Sequence, residues 1–167
     1  MNARDIIESL GLTPLSAEGG YFRETYRSEE LISSAVLPQR YGGERSFSTA
    51  IYYLVTPESF SVMHRIISDE VFHYYTGDPV EMLCLYPDGS GSLTVMGNAL
   101  DCGEVFQHTV PRGVWQGMRL VGDSGFALLG TTVAPGFEYD DYETGLRNDL
   151  VTAYPSYRER IIRLTRD

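Results

Sequence analysis

Three short apolar runs separated by turn-forming residues fill residues 60–86, FSVMHRIISDEVFHYYTGDPVEMLCLY. Residues 59–66 read as one strand, 69–76 as a second and 79–86 as a third, with breaks at Ile67-Ser68 and Gly77-Asp78. Tyr, Phe, Val and Ile dominate the runs, and these are the side chains that a pleated, half-buried surface favours. None of the runs is long enough for a stable helix, so this part of the chain is constrained to pair as sheet.

Further strands are expected at 46–55, 92–97, 104–110, 114–121 and 125–133, at the short spacing of an all-β sandwich or barrel. Pro87-Asp88-Gly89-Ser90-Gly91 supplies a hairpin turn. Gly19-Gly20 suggests a bulge or a close backbone approach ahead of a strand. Residues 28–46 carry Pro38 and Gly42-Gly43 and read as a long surface loop. A short helix is expected over residues 2–10, capped by Asn2 and ended by Gly11. Two more are expected over 147–163, interrupted at Tyr154-Pro155.

The chain has 167 residues, which fits one domain able to bury roughly 68–70% of its unfolded surface. Its net charge of −10 argues against nucleic acid and against an anionic membrane surface as partners. No apolar run approaches the ~20 residues that span a bilayer. Cys84 and Cys102 lack metal-type spacing and read as reduced thiols of a cytoplasmic protein. All 13 cationic side chains are Arg. Schiff-base chemistry and a phosphate-loop lysine are therefore excluded.

The spacing of His64, Glu70 and Gly77 resembles the first motif of the cupin superfamily, G-x5-H-x-H-x3-E-x6-G. Ile66 stands in place of its second histidine and Glu58 in place of its opening glycine. Pro111-Arg112-Gly113-Val114-Trp115-Gln116 resembles the second motif, P-x-G-x-x-H, with Gln116 in the histidine's place. EGGYFRETYRS, HRIISDEVFHYYTGDP and VAPGFEYDDYE, in that order, are similar to one cupin branch without an assigned reaction. The resemblance implies a single-domain jelly-roll barrel with its core at about 46–133 and its terminal segments outside, usually as a homodimer. It also implies kinship with nucleotide-sugar epimerases that use a histidine base without metal, although their lysine is missing here.

In this register His64 and Glu70 are the candidate catalytic residues. Strand alternation sends Phe72, Tyr74 and Thr76 inward with Glu70, and Val114, Met118 and Leu120 inward with Gln116. Tyr53, or its neighbour Tyr52, supplies a wall. Tyr53, Phe72, Tyr74, Gln116 and Met118 are thus the expected ligand-binding residues. His73 faces away and serves packing or an interface, and His108 is expected to be exposed. Glu70 alone could pair with Arg65 or Arg119, and Glu138 to Glu143 read as a solvated run. No metal or other cofactor is expected.

Three functions follow. One is a metal-independent isomerase or epimerase-like enzyme on a carbohydrate or nucleotide-sugar ligand, with His64 as base and a pocket tyrosine as proton donor. The second is a small-ligand binding or sensing module without turnover. The third is a metal-dependent cupin using His64, Glu70 and Gln116, which the loss of two imidazoles disfavours.

Overall fold

The computed structural model describes residues 2–166. Helix α1 (Ala3–Leu10) opens the chain with a reciprocal cap: Asn2 and Asp5 each accept from the other's backbone N–H. In chain order the strands are β1 (Thr13–Pro14), β2 (Tyr21–Arg27), β3 (Leu31–Ile32), β4 (Arg45–Ser46), β5 (Thr49–Val55), β6 (Ser61–Ile66) and β7 (Asp69–Gly77). There follow β8 (Val80–Leu85), β9 (Gly91–Met96), β10 (Gln107–Val110), β11 (Trp115–Leu120), β12 (Ala127–Ala134) and β13 (Tyr142–Thr144). Helices α2 (Arg147–Ala153) and α3 (Arg158–Arg163) close the chain, split by a 3-10 turn that begins at Pro155.

Two antiparallel sheets carry the fold, in the orders β1-β2-β5-β12-β7-β10 and β13-β6-β11-β8-β9. Their facing sides pack one core: Tyr53, Phe72, Tyr74 and Leu129 from the first sheet meet Met82, Cys84, Met96 and Met118 from the second. This is a cupin-type β-sandwich, an all-β jelly roll with short terminal helices. The sheets extend beyond residues 46–133, because β1 and β2 build the edge of one and β13 the edge of the other. Among the described residues no helix is long and apolar enough to cross a membrane.

Helices cover the outer faces, which explains strands that do not alternate. In β8, Met82 and Cys84 point to the sandwich core while Leu83 and Leu85 pack beneath α2 and α3 against Leu150 and Ile161. VEMLCL is therefore buried on both sides and reads as a continuous apolar run. In β5, Leu54 turns outward under α1 against Ile6. Alternation in β7 holds from Glu70 to Tyr74 and then breaks, because Tyr75 is an extra residue between the pairs Leu129–Tyr74 and Leu128–Thr76. Thr76 is consequently exposed and not inward-facing.

Residues 28–46 are more ordered than a surface loop. β3 pairs β4, and Tyr41 and Arg45 are buried. Arg45 forks onto the equally buried Asp141, with Nε 3.1 Å from Oδ2 and Nη2 2.5 Å from Oδ1. The solvated acidic run expected at Glu138 to Glu143 is corrected at one position: Asp141 is buried on Arg45, while Glu138 and Glu143 stay solvent-accessible in surface pairs with Arg27 and Arg65. Arg65 is thus spoken for and does not pair with Glu70.

Removing one partner of a buried pair strands the other charge, at a cost of about 3–5 kcal/mol. Asp141→Ala should lower unfolding stability by that amount in urea titrations. Arg45→Met combined with Asp141→Leu should cost clearly less than Asp141→Ala alone.

Candidate functional site

Depth along each strand separates cavity from core. In β5, Thr49 and Ile51 line a cavity while Tyr53 and Val55, on the same face, belong to the core. In β12 the corresponding pairs are Thr131 and Val133 in the cavity, and Ala127 and Leu129 in the core. β7 contributes only Glu70, and β6 contributes His64 and Ile66. The register brings these positions to one end of the barrel, since Glu70 pairs with Val133, and Val133 with Thr49. The cavity encloses about 100 Å3.

Two segments outside the barrel strands complete it. Glu18 comes from the connection before β2, held by Gly19 and Gly20 at positive φ. A Cβ on Gly20 would run into the Tyr53 ring, which is the close approach expected from the glycine pair. Phe137, Glu138, Tyr139 and Tyr142 form the opposite wall.

His64 is buried, and its Nδ1 lies 2.8 Å from the Val62 carbonyl oxygen. A carbonyl can only accept, so Nδ1 carries the hydrogen and Nε2 keeps its lone pair. Nε2 lies 3.4 Å from the Gln116 amide nitrogen and 3.8 Å from Glu18 Oε2. Tyr142 stacks on the imidazole with centroids 5.1 Å apart. The Gln116 nitrogen also donates to Glu70 Oε2 at 2.7 Å, and Ser61 Oγ donates to Glu18 Oε1 at 2.7 Å.

Burial raises the Glu70 carboxyl to about 6; nearby His64 opposes the shift, and the Glu18 charge adds to it. Burial likewise pushes the Tyr142 phenol up to about 12 and the Tyr53 phenol well above its usual range. Both phenols stay protonated, and the Tyr53 hydroxyl is committed to the Gly19 carbonyl.

Of the expected site residues, His64 and Glu70 share the cavity, and Gln116 sits behind them as their common hydrogen-bond donor. Tyr53, Phe72, Tyr74 and Met118 do not line it: they are buried in the sandwich core. The Tyr53 hydroxyl donates to the Gly19 carbonyl at 2.9 Å and that of Tyr74 to the Gly77 carbonyl at 2.5 Å. His73 does face away, near Thr132 and Gln107. His108 is half-buried, with Nε2 3.7 Å from Cys84 Sγ, and is not the exposed residue expected. Glu18, Arg27 and Tyr142 were missed as site residues, although all three lie in or beside segments that carried the family resemblance.

The donor set does not fit the metal of the third reading. Among the described residues no group of three or more His, Cys, Asp or Glu side chains is placed to hold an ion. Gln116 turns its nitrogen, not its oxygen, toward Glu70 and His64.

A raised carboxyl pKa is a stability cost with a defined pH window. The folded state holds the Glu70 proton more tightly than the unfolded chain, so stability falls as pH rises from about 4.5 to about 6 and then stays lowered. The penalty is on the order of 2 kcal/mol. Glu70→Gln should therefore stabilise the protein at pH 7.5 and leave it near wild type at pH 4; a destabilised variant at pH 7.5 contradicts this.

Comparison with known proteins agrees with the geometry. The family described as Cupin superfamily (DUF985) matches residues 4–145. An uncharacterized protein of Saccharomyces cerevisiae is 34% identical, over 75% of this chain and 66% of the yeast protein, just under two-thirds of its length. A hypothetical protein from Leishmania major has 31% identity and a TM-score of 0.89 over 100% of both chains. A Shewanella oneidensis protein has 32% identity and a TM-score of 0.87, covering 99% of this chain and 98% of its own. Oxalate decarboxylase from Bacillus subtilis, at 13% identity and a TM-score of 0.53 over 92% of this chain and 38% of its own, shares the fold alone. With its two sheets, its eroded motifs and a family match over most of its length, the chain belongs to the cupin superfamily, in the branch described as DUF985.

Proposed function

We propose that the cavity binds a small molecule and moves a proton on it without a metal, with His64 as base, as an isomerase or epimerase does. The observation that carries this reading is the fixed histidine tautomer: Nδ1 is bound to the Val62 carbonyl, so Nε2 faces the site as an acceptor. Nε2 takes a proton from a carbon next to a carbonyl or imine; the C–H electron pair forms a C=C bond as the π pair of the carbonyl or imine moves onto its oxygen or nitrogen. The imidazolium so formed lies between the Glu18 and Glu70 carboxylates, which stabilise its charge. On an α-hydroxy substrate it returns the proton to the former carbonyl carbon while the hydroxyl proton passes to the enolate oxygen, giving the isomer; the epimer forms where solvent delivers the proton to the opposite face of the original carbon and the imidazolium loses its own to solvent.

The cavity narrows the ligand class. Leu15, Ile51, Ile66 and Val133 would leave sugar hydroxyls unpaired, and a diphosphate would meet Glu24 and Glu138. A small ligand with an apolar body fits better than a nucleotide sugar.

Deuterium exchange in D2O tests the base. With aminoacetone, 2-hydroxyacetophenone and dihydroxyacetone as probes, wild type should wash out an α-hydrogen of at least one, by proton NMR. His64→Ala should slow this by about 100-fold or more, the scale of general-base catalysis. Chelator should change nothing. The rate should fall as pH drops through about 6, where Glu70 gains its proton. Exchange unaffected by His64→Ala removes the base, and binding without exchange makes the protein a ligand-binding module.

A further inference from the structure

The polar floor of the cavity is made of acceptors. Glu18 has one carboxylate oxygen engaged by Ser61 and turns the other toward His64. His64 Nε2 offers a lone pair, and Glu70 is a second carboxylate. The donors nearest the floor are used: the Ser61 hydroxyl on Glu18, the Tyr53 hydroxyl on Gly19, the Thr131 hydroxyl on Glu70, and the Gln116 amide on Glu70 and His64; the Thr49 hydroxyl accepts from the Phe137 N–H. Gln116 lies behind this floor, outside the cavity lining, so its amide supports His64 and Glu70 and does not meet the ligand. A buried floor of this kind is completed by a ligand that donates.

Charge sharpens the requirement. The one cationic side chain among the described lining residues is Arg27. Its guanidinium is taken up by Glu24, Glu138 and the Phe137 carbonyl, at 2.6–3.2 Å. Glu24 and Glu138 share that single positive charge, whereas among the described lining residues Glu18 and Glu70 have only the His64 imidazole beside them. The chain has no lysine to send there. Around the remaining space stand the rings of Phe22, Phe137, Tyr139 and Tyr142, whose faces attract a cation.

We propose that the ligand of this cavity is a primary amine in its ammonium form on a small apolar body, its N–H groups donating to Glu18, His64 and Glu70. The proposal deepens the reading of the cavity as a small-molecule site and does not depend on turnover there. It also removes a difficulty in proton transfer. An enolate formed beside two carboxylates has only the His64 imidazolium to offset three negative charges; an ammonium on the same substrate supplies a further positive charge.

Calorimetric titration of the wild-type protein at pH 8 with benzylamine, benzyl alcohol and benzoate tests this, because the three differ chiefly in headgroup charge. Benzylamine should bind at least about tenfold tighter than benzyl alcohol, a difference of about 1.4 kcal/mol, and benzoate should not bind. Glu18→Gln should remove most of that preference by weakening benzylamine far more than benzyl alcohol. The wild-type series alone decides the matter if this variant folds poorly. Equal affinity for amine and alcohol, or binding of benzoate, overturns the cation and leaves the cavity standing as a binding site. Binding of none of the three overturns the amine proposal as well. Amine preference in a protein that shows no deuterium exchange overturns the base and leaves the amine in place.

Discussion

One hydrogen bond crosses the inside of the sandwich, from the Gln116 amide on β11 to the Glu70 carboxylate on β7, and the site depends on it. It joins the two sheets at the level where packed core gives way to cavity. A buried carboxylate with no donor would be expelled or protonated. A donor on the opposite sheet keeps Glu70 inside, and the same amide nitrogen then meets the His64 lone pair. A histidine in the position of Gln116 could have bound a metal. The amide instead binds two proton-handling groups to each other.

That arrangement has a structural cost which the surroundings carry. Glu70 and His64 are surrounded by apolar strands, and Glu18 reaches them from a connection held by two glycines at positive φ. The wall facing them, residues 137–142, is anchored by Arg27 on Glu138 within the cavity lining and by Arg45 on the buried Asp141 outside it. Two arginine–carboxylate pairs therefore fix the segment that brings Tyr142 onto the imidazole. Neither pair touches the floor, so the floor keeps its uncompensated charge while the wall stays in place.

Most of the fold was legible because its strands are short, rich in β-formers and cut by strong turn residues. The site was legible only in part. Alternation reports which face of a strand points inward, and it placed Tyr53, Phe72, Tyr74 and Met118 correctly inside. It does not report depth: Ile51 and Tyr53 share a face, yet one borders the cavity and the other fills the core. Glu18 and Tyr142 escaped for another reason. They lie 46 and 78 residues from His64 in sequence, by subtraction of residue numbers, and nothing local reveals that both converge on one imidazole. Asp141 looked solvated in an acidic run because its partner, Arg45, sits in a segment that read as loop.

The missing lysine ties these observations together. In a cavity with two buried carboxylates, a lysine amine would be the simplest neutralising group, and its flexible stem could reach the floor from many positions. Arginine is less adaptable, since a planar fork asks for planar partners at fixed angles. In this chain the forks of Arg27, Arg45 and Arg65 are each closed on carboxylates away from the floor. They fasten edges and walls, and their geometry leaves none to turn inward. Beyond the His64 imidazole, a cation for Glu18 and Glu70 is on our proposal one that comes from solution, and the apolar, aromatic walls favour one attached to carbon.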